Sequence, residues 1–237
     1  MHCGCIRNQD NPQRICFYSP AHATARPEVD LLTMNQEQLQ TILAKYLPPG
    51  SEEYATELML RYKIQLKIKK PRLSKLGDYR PPKPGEAHRI SLNKDLNPFA
   101  FLVTFLHEVA HLVNYEQFRG KVAPHGSEWK SQFQQISVPV FQKEILPTDV
   151  YLALLNYLKN PKASSCTDAN LVKTLRRYDI NNPWILVEQI GVGLLFETQD
   201  GRQFRKLERM RTRFRCKEES TGKIYLVPGL MNCKPVL

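Results

Sequence analysis

At 237 residues the chain is long enough for one domain of ordinary size plus a small appendage, and a content of 42% hydrophobic and 9% aromatic residues excludes wholesale disorder. The formal net charge of +11 points to polyanionic partners, nucleic acid before an anionic membrane surface, unless the chain is simply a basic soluble protein. No stretch reaches the roughly 18 apolar residues of a membrane span. The longest apolar run, Phe99 to Val113, carries two histidines and a glutamate. Met1 to Met34 lacks the continuous apolar segment of a secretory signal. Cys3, Cys5, Cys16, Cys166, Cys216 and Cys233 are scattered, not arrayed at framework spacings. Reduced thiols in a cytoplasmic protein, with no membrane partner, are therefore expected.

Residues 1–33 mix Cys, Pro, His and polar residues without periodicity, which predicts a disordered tail or a misplaced start, because regular helical patterning begins at Met34. A lone Cys-x-Cys at Cys3 and Cys5 is a weak metal signal. From Gln36 to Tyr62, Leu39, Ile42, Leu43, Tyr46, Tyr54, Leu58 and Leu60 recur at helical spacing, interrupted at Pro48-Pro49-Gly50, and predict two helices. Ile64 to Lys69 alternates apolar with polar residues, a half-buried strand. A turn-rich stretch, Gly77 to Gly85, leads to a second short strand around Arg89–Leu92. A long apolar helix follows over about 98–118, ended by Gly120 and Pro124. The next helix carries Trp129, Phe133 and Ile136 on one face. Helices over roughly 148–158 and 170–178 flank a Pro- and Ser-containing linker. Beyond Pro183, strand-like runs separated by Gln199-Asp200-Gly201 and Ser220-Thr221-Gly222 predict a small antiparallel β unit.

The chemistry concentrates in His107-Glu108-Val109-Ala110-His111. On a helix, residues four apart share one face about 6 Å apart in rise, so two imidazoles so placed can share one Zn²⁺. Glu108 lies beside the first of them, free to accept a proton from attacking water. Ionisable groups flanked by Phe101, Leu102, Phe105, Leu106, Leu112 and Val113 are costly to bury without a purpose. A catalytic zinc takes three protein ligands and leaves one position open. A metzincin pattern would need His at Gln117 and Gly at Asn114, so that class is excluded. Two candidates for the third ligand remain, His125 and Glu128. His125 is favoured because it precedes a helix start beside Gly126, with Glu128 as an outer partner or a rival ligand. His88 reads as a surface residue at the mouth of a strand.

The run from Leu73-Ser74-Lys75-Leu76-Gly77-Asp78-Tyr79-Arg80, through Arg89-Ile90-Ser91-Leu92 and the HEVAH motif, to His125-Gly126-Ser127-Glu128-Trp129 resembles the SprT-like metallopeptidase family, over about residues 36–145. The resemblance implies a zincin-like core, one catalytic zinc on His107, His111 and His125, and Glu108 as the catalytic base. It further implies cleavage of proteins on DNA, particularly crosslinked ones, with DNA binding as the gate. Tyr79 and Arg80 are candidate oxyanion contacts. Relatives often carry a C-terminal zinc ribbon with two Cys pairs. Here only Cys216 and Cys233 stand in that region, so a ribbon shape without its metal is expected.

What that region does hold is a dense basic hairpin: Arg202, Arg205, Lys206, Arg209, Arg211, Arg213, Arg215 and Lys217, interleaved with Phe204 and Phe214 and opposed by Glu208. Strand alternation puts Arg211, Arg213 and Arg215 on one face. Cations and stacking rings suit single-stranded nucleic acid, although a merely solvated strand face has the same composition. Arg205, Arg209, Arg211, Arg213, Arg215 and Phe214 are the candidate DNA contacts.

The expectation is thus an α+β monomer with a metallopeptidase core over 34–145, a helical linker over 146–185 and a basic β-hairpin unit over 186–237. The expected activity is zinc-dependent hydrolysis of peptide bonds in DNA-associated or DNA-crosslinked proteins. The rival readings are a non-catalytic DNA-binding protein with a structural zinc, and a peptidase without a nucleic-acid role.

Overall fold

A computed structural model describes residues 7–8, 35–163 and 167–236. Expectations resting on Cys3, Cys5, Cys16, Met34 and Cys166 lie outside those residues. In chain order the elements are β1 (Arg7–Asn8), α1 (Gln36–Leu43), α2 (Glu52–Arg61), β2 (Ile64–Lys69), β3 (Gly77–Arg80), β4 (His88–Asn93), α3 (Pro98–Phe118), α4 (Ser127–Gln142), α5 (Thr148–Leu158) and α6 (Ala169–Arg176). They continue with β5 (Ile185–Leu186), β6 (Leu195–Thr198), β7 (Gln203–Met210), β8 (Arg213–Glu218), β9 (Ile224–Pro228) and β10 (Asn232–Pro235). The chain is mixed α+β and, among the described residues, no helix is long and apolar enough to cross a membrane. It divides into two compact units, one extending to Asp179 and one formed by Ile180 onward together with β1.

In the first unit, a three-stranded sheet of order β2-β4-β3 backs onto α3. β2 runs parallel to β4, and β3 pairs antiparallel with β4 as an edge strand, Gly77 opposite Leu92 and Tyr79 opposite Ile90. Period-two alternation buries Ile64, Leu66, Ile90 and Leu92 and leaves Gln65, Lys67, Arg89 and Ser91 half-buried on the other face. The Gly77–Arg80 segment, expected as turn, is a strand because β4 supplies its ladder partners. Its own residues show no alternation to announce it.

α3 begins where Asn97 caps it, the side-chain oxygen accepting from the Ala100 N–H at 2.9 Å with Pro98 in the first turn. The Asn97 amide also donates to the Leu175 carbonyl (2.9 Å) and to Asp179 (2.6 Å), which ties the start of α3 to α6. The helix stops at Arg119, whose φ of 50° is left-handed, followed by Gly120 at 76°. Between those ends it is buried nearly all round, from Phe101 to Leu112.

The linker expected over 146–185 contributes one face of each of its two helices to the core. Val150, Ala153, Leu154 and Leu158 of α5 and Leu171 and Leu175 of α6 are buried in the same hydrophobic cluster as α3 and α4. Each helix has an apolar face that needs a partner, and the core is where it finds one.

The second unit is a seven-stranded sheet of order β1-β9-β8-β7-β6-β10-β5, wider than a hairpin, with Val187, Phe196, Phe204, Phe214, Cys216, Tyr225, Val227 and Cys233 in its core. Arg7 and Asn8 pair with Leu226 and Tyr225, so this part of the expected disordered tail is strand.

Candidate metal centre

The spacing of the α3 motif does what helical geometry requires. His107 and His111 face each other across one turn with their Nε2 atoms 3.2 Å apart. His125, on the loop that leads into α4, brings its ring to 4.5 Å from that of His111 and 5.7 Å from that of His107, centroid to centroid. One ligand nitrogen from each of the three lies within 4.8 Å of the others. Gly126, the N-cap of α4, lets the chain turn tightly here: a Cβ on it would come within 3.0 Å of Glu128 and 3.3 Å of Ala123.

The rival third ligand does not join this group. Glu128 turns back along the first turn of α4, where its carboxylate accepts from the Ser127 hydroxyl at 3.1 Å. Of the two candidates, His125 is the one that joins the group of three that could hold a metal ion.

The electrostatics suit a cation. Burial holds the His107 pKa well below the ordinary imidazole range, with His111 and His125 adding to the shift. Burial likewise pushes His111 down to about 3 and lowers His125. All three rings are therefore neutral at pH 7, the state in which imidazole ligates metal. The Nδ1 of His107 and the Nε2 of His125 are buried without a hydrogen-bond partner among the described residues, an arrangement that is costly unless something else engages the group. Three neutral nitrogen donors facing one point match the protein ligand set of a catalytic zinc.

Beneath the three rings lies Trp129, fully buried, its ring 4.7 Å from His107, 5.2 Å from His111 and 4.7 Å from His125. Phe133, one turn on, meets both Trp129 (5.4 Å) and His107 (5.5 Å). Sequence reasoning placed Trp129 only on the apolar face of α4. A bonded pair of amides, Gln132 to Gln117 at 2.7 Å, joins α4 to α3 nearby.

Glu108 points to the sheet side of α3. Burial pushes its carboxyl up to about 8; Asp78 adds to the rise, while the nearby Tyr79 backbone N–H and Arg72 oppose it. Among the described residues the Oε1 atom has no hydrogen-bond partner, and it lies against Gly77. A Cβ at Gly77 would stand 2.7 Å from that oxygen and 2.8 Å from Thr104, so any larger residue there displaces the carboxylate. Arg72 pins the loop leading into β3, donating to Asn93 (2.7 Å), the Ser91 hydroxyl (2.9 Å) and the Ser91 carbonyl (3.2 Å).

Other expectations are corrected. His88 is buried, not superficial: it is 8% exposed and hydrogen-bonded on both ring nitrogens. The Tyr79 hydroxyl, proposed for an oxyanion, is engaged by His88 at 3.0 Å. Arg80 is exposed and paired with Asp78 at 3.0 Å.

In the second unit, Phe204 and Phe214 point inward, 0% and 7% exposed. Phe214 is therefore not a stacking platform. Lys206 is buried over the Phe214 ring and donates to the carbonyls of Glu188 and Ile190, so it pins the core instead of facing solvent. Arg211 occupies the β7–β8 turn with a left-handed φ of 47°, off the strand face that carries Arg213 and Arg215. Arg205 pairs with Glu219 (3.2 Å), Arg215 with Glu208 (2.5 Å), and Arg213 donates to the Leu226 carbonyl (3.2 Å). Arg209 donates to the Arg211 carbonyl at 3.1 Å. These arginines lie along one hairpin, more of them neutralised than Glu208 alone would allow. Cys216 and Cys233 are buried thiols, Cys216 pushed up to about 12 by burial.

Residues 51–150 match the family model described as SprT-like family. Comparison with curated proteins and with solved structures gives no match. The matched segment spans α2 to the start of α5 and holds His107, Glu108, His111, His125 and Trp129. Over this segment, less than half of the chain, the protein is similar to the SprT-like family.

Proposed function

We propose that the protein is a zinc-dependent endopeptidase with a zincin-like core, and that it acts on proteins associated with or crosslinked to DNA. One observation carries the catalytic part: three neutral imidazoles converge within 4.8 Å beside a buried carboxyl, one oxygen of which has no partner among the described residues. When bound, zinc supplies Lewis acidity to the scissile carbonyl and to attacking water. His107, His111 and His125 hold it, and Trp129 fixes their rings and keeps water from behind them. Glu108 receives the proton of the attacking water at Oε1 and passes it to the amide nitrogen as the C–N bond breaks.

The DNA part rests on the net charge of +11, on the family and on the cationic β7–β8 hairpin. With the rings turned inward, the hairpin is proposed to bind through phosphate contacts, single strands favoured, and not through stacking. The test is cleavage of an unfolded protein substrate by the zinc-loaded chain, with and without single-stranded DNA, beside a DNA-binding measurement at several salt concentrations. Cleavage stimulated by DNA is expected. Replacing Arg211, Arg213 and Arg215 together with Ala is expected to reduce the log–log salt slope by roughly 0.7 per lost phosphate contact. An unchanged slope removes the hairpin as the DNA site. DNA binding without any cleavage favours a structural zinc, and cleavage without DNA binding favours a plain peptidase.

A further inference from the structure

Tyr79 is held through its side chain and lies beside the site through its backbone. Its amide is near enough to the Glu108 carboxyl to lower that group's pKa. Gly77, two residues earlier on β3, packs against the same carboxyl, where a Cβ would fall 2.7 Å from Oε1. The Tyr79 hydroxyl lies 3.0 Å from Nδ1 of His88. The Nε2 of His88 lies 3.1 Å from Oε1 of Glu116, and Glu116 is gripped by both terminal nitrogens of Arg119 at 3.0 and 3.2 Å. A carboxylate only accepts, so Nε2 must carry the proton, and Nδ1 is then the acceptor for the Tyr79 hydroxyl. The chain of bonds thus has a fixed direction: Tyr79 to His88 to Glu116. Burial lowers the His88 pKa, consistent with a neutral ring. The Tyr79 and His88 rings also stack at 5.9 Å, with Tyr115 against both.

The ends of this relay are what give it a consequence. Glu108 and Glu116 both belong to α3, eight residues apart and hence on nearby faces. β3 is an edge strand of four residues with a ladder on one side only, the kind of element most free to shift. It meets α3 at two points, where Gly77 packs against Glu108 and Thr104 and where the Tyr79 hydroxyl reaches Glu116 through His88. We infer that His88 is a positioning residue: it holds Tyr79, and with it β3, in register, so that the β3 backbone at Gly77 keeps the side chain of the general base in place. Among the described residues, the His88 ring meets Tyr79, Tyr115 and Glu116, not the three histidines of the candidate metal centre. This inference rests on the peptidase reading for its kinetic consequence but not for its structural one.

The test uses the full chain with His88→Phe, Tyr79→Phe, the double variant and His88→Gln, which keeps one acceptor and one donor. A neutral hydrogen bond is worth about 1 kcal/mol, so each single variant should lower kcat about fivefold to tenfold with KM within about twofold. Groups acting as one unit are non-additive, so the double variant should lose no more than either single one, and His88→Gln should recover most of the loss. Hydrogen exchange at the Tyr79 amide, measured with and without zinc, should accelerate about tenfold in His88→Phe and Tyr79→Phe. Additive losses, or an unchanged kcat accompanied only by a lower Tm, overturn the inference. If the unmodified chain cleaves nothing, the peptidase reading falls, and the exchange rate of the Tyr79 amide alone decides whether His88 positions it. If His88→Phe fails to fold, Tyr79→Phe, which removes only a hydroxyl, carries the decision.

Discussion

Glu108→Gln is expected to lower peptide-bond hydrolysis by about 10²–10⁴-fold while the chain still binds one zinc. The amide matches the carboxylate in shape, but it cannot take a proton from water at neutral pH. Metal retention follows from the donor set, which is three imidazoles without the glutamate. The stability of the metal-free chain supplies an independent sign. Burial raises the Glu108 pKa to about 8, so the folded state resists ionising a group that the unfolded chain ionises readily. Such a carboxyl opposes folding increasingly as pH climbs from its unfolded value toward 8. Glu108→Gln removes that penalty, and the metal-free variant should melt no lower than the parent at pH 7 to 8. Cleavage at the parental rate by a zinc-loaded variant would refute the assigned role.

His125→Ala should abolish activity for a different reason. It leaves two imidazoles on α3 and an opening on the loop side. Loss of an outer partner typically costs 10–100-fold in metal affinity, and loss of a ligand should cost at least about that much. After dialysis, elemental analysis should find His125→Ala well below one zinc per chain. Glu128→Ala should remain near one, because Glu128 folds onto Ser127 and away from the three nitrogens. The opposite ranking would reinstate Glu128 as the ligand.

How far the sequence announced this arrangement depends on whether the information was local. The histidine pair and Glu108 were legible because helical spacing alone brings them together. His125 was legible only as one of two candidates, since a loop's path is set by what it packs on, here Trp129. β3 was read as turn because Gly77-Asp78-Tyr79-Arg80 contains no alternation, and its ladder is supplied by β4 from a dozen residues away. His88 was misjudged for the same reason: its burial comes from Tyr79, Tyr115 and Glu116, and no local pattern reveals that Glu116 reaches it. The expected boundary at 146 followed the end of the family resemblance at about residue 145, but α5 and α6 beyond it pack their apolar faces into the same core. In the basic hairpin the charge was legible and its pairing was not. Cross-strand register brings Glu218 and Glu219 to Arg202 and Arg205, and strand alternation turns Phe204 and Phe214 inward.

X-ray absorption spectroscopy of the zinc-loaded chain tests the centre most directly. Three imidazole nitrogens and no sulfur are expected in the zinc shell, with the imidazole count falling in His125→Ala and unchanged in Glu128→Ala. A closed shell of four protein ligands, or any thiolate sulfur, would contradict a catalytic site built on His107, His111 and His125.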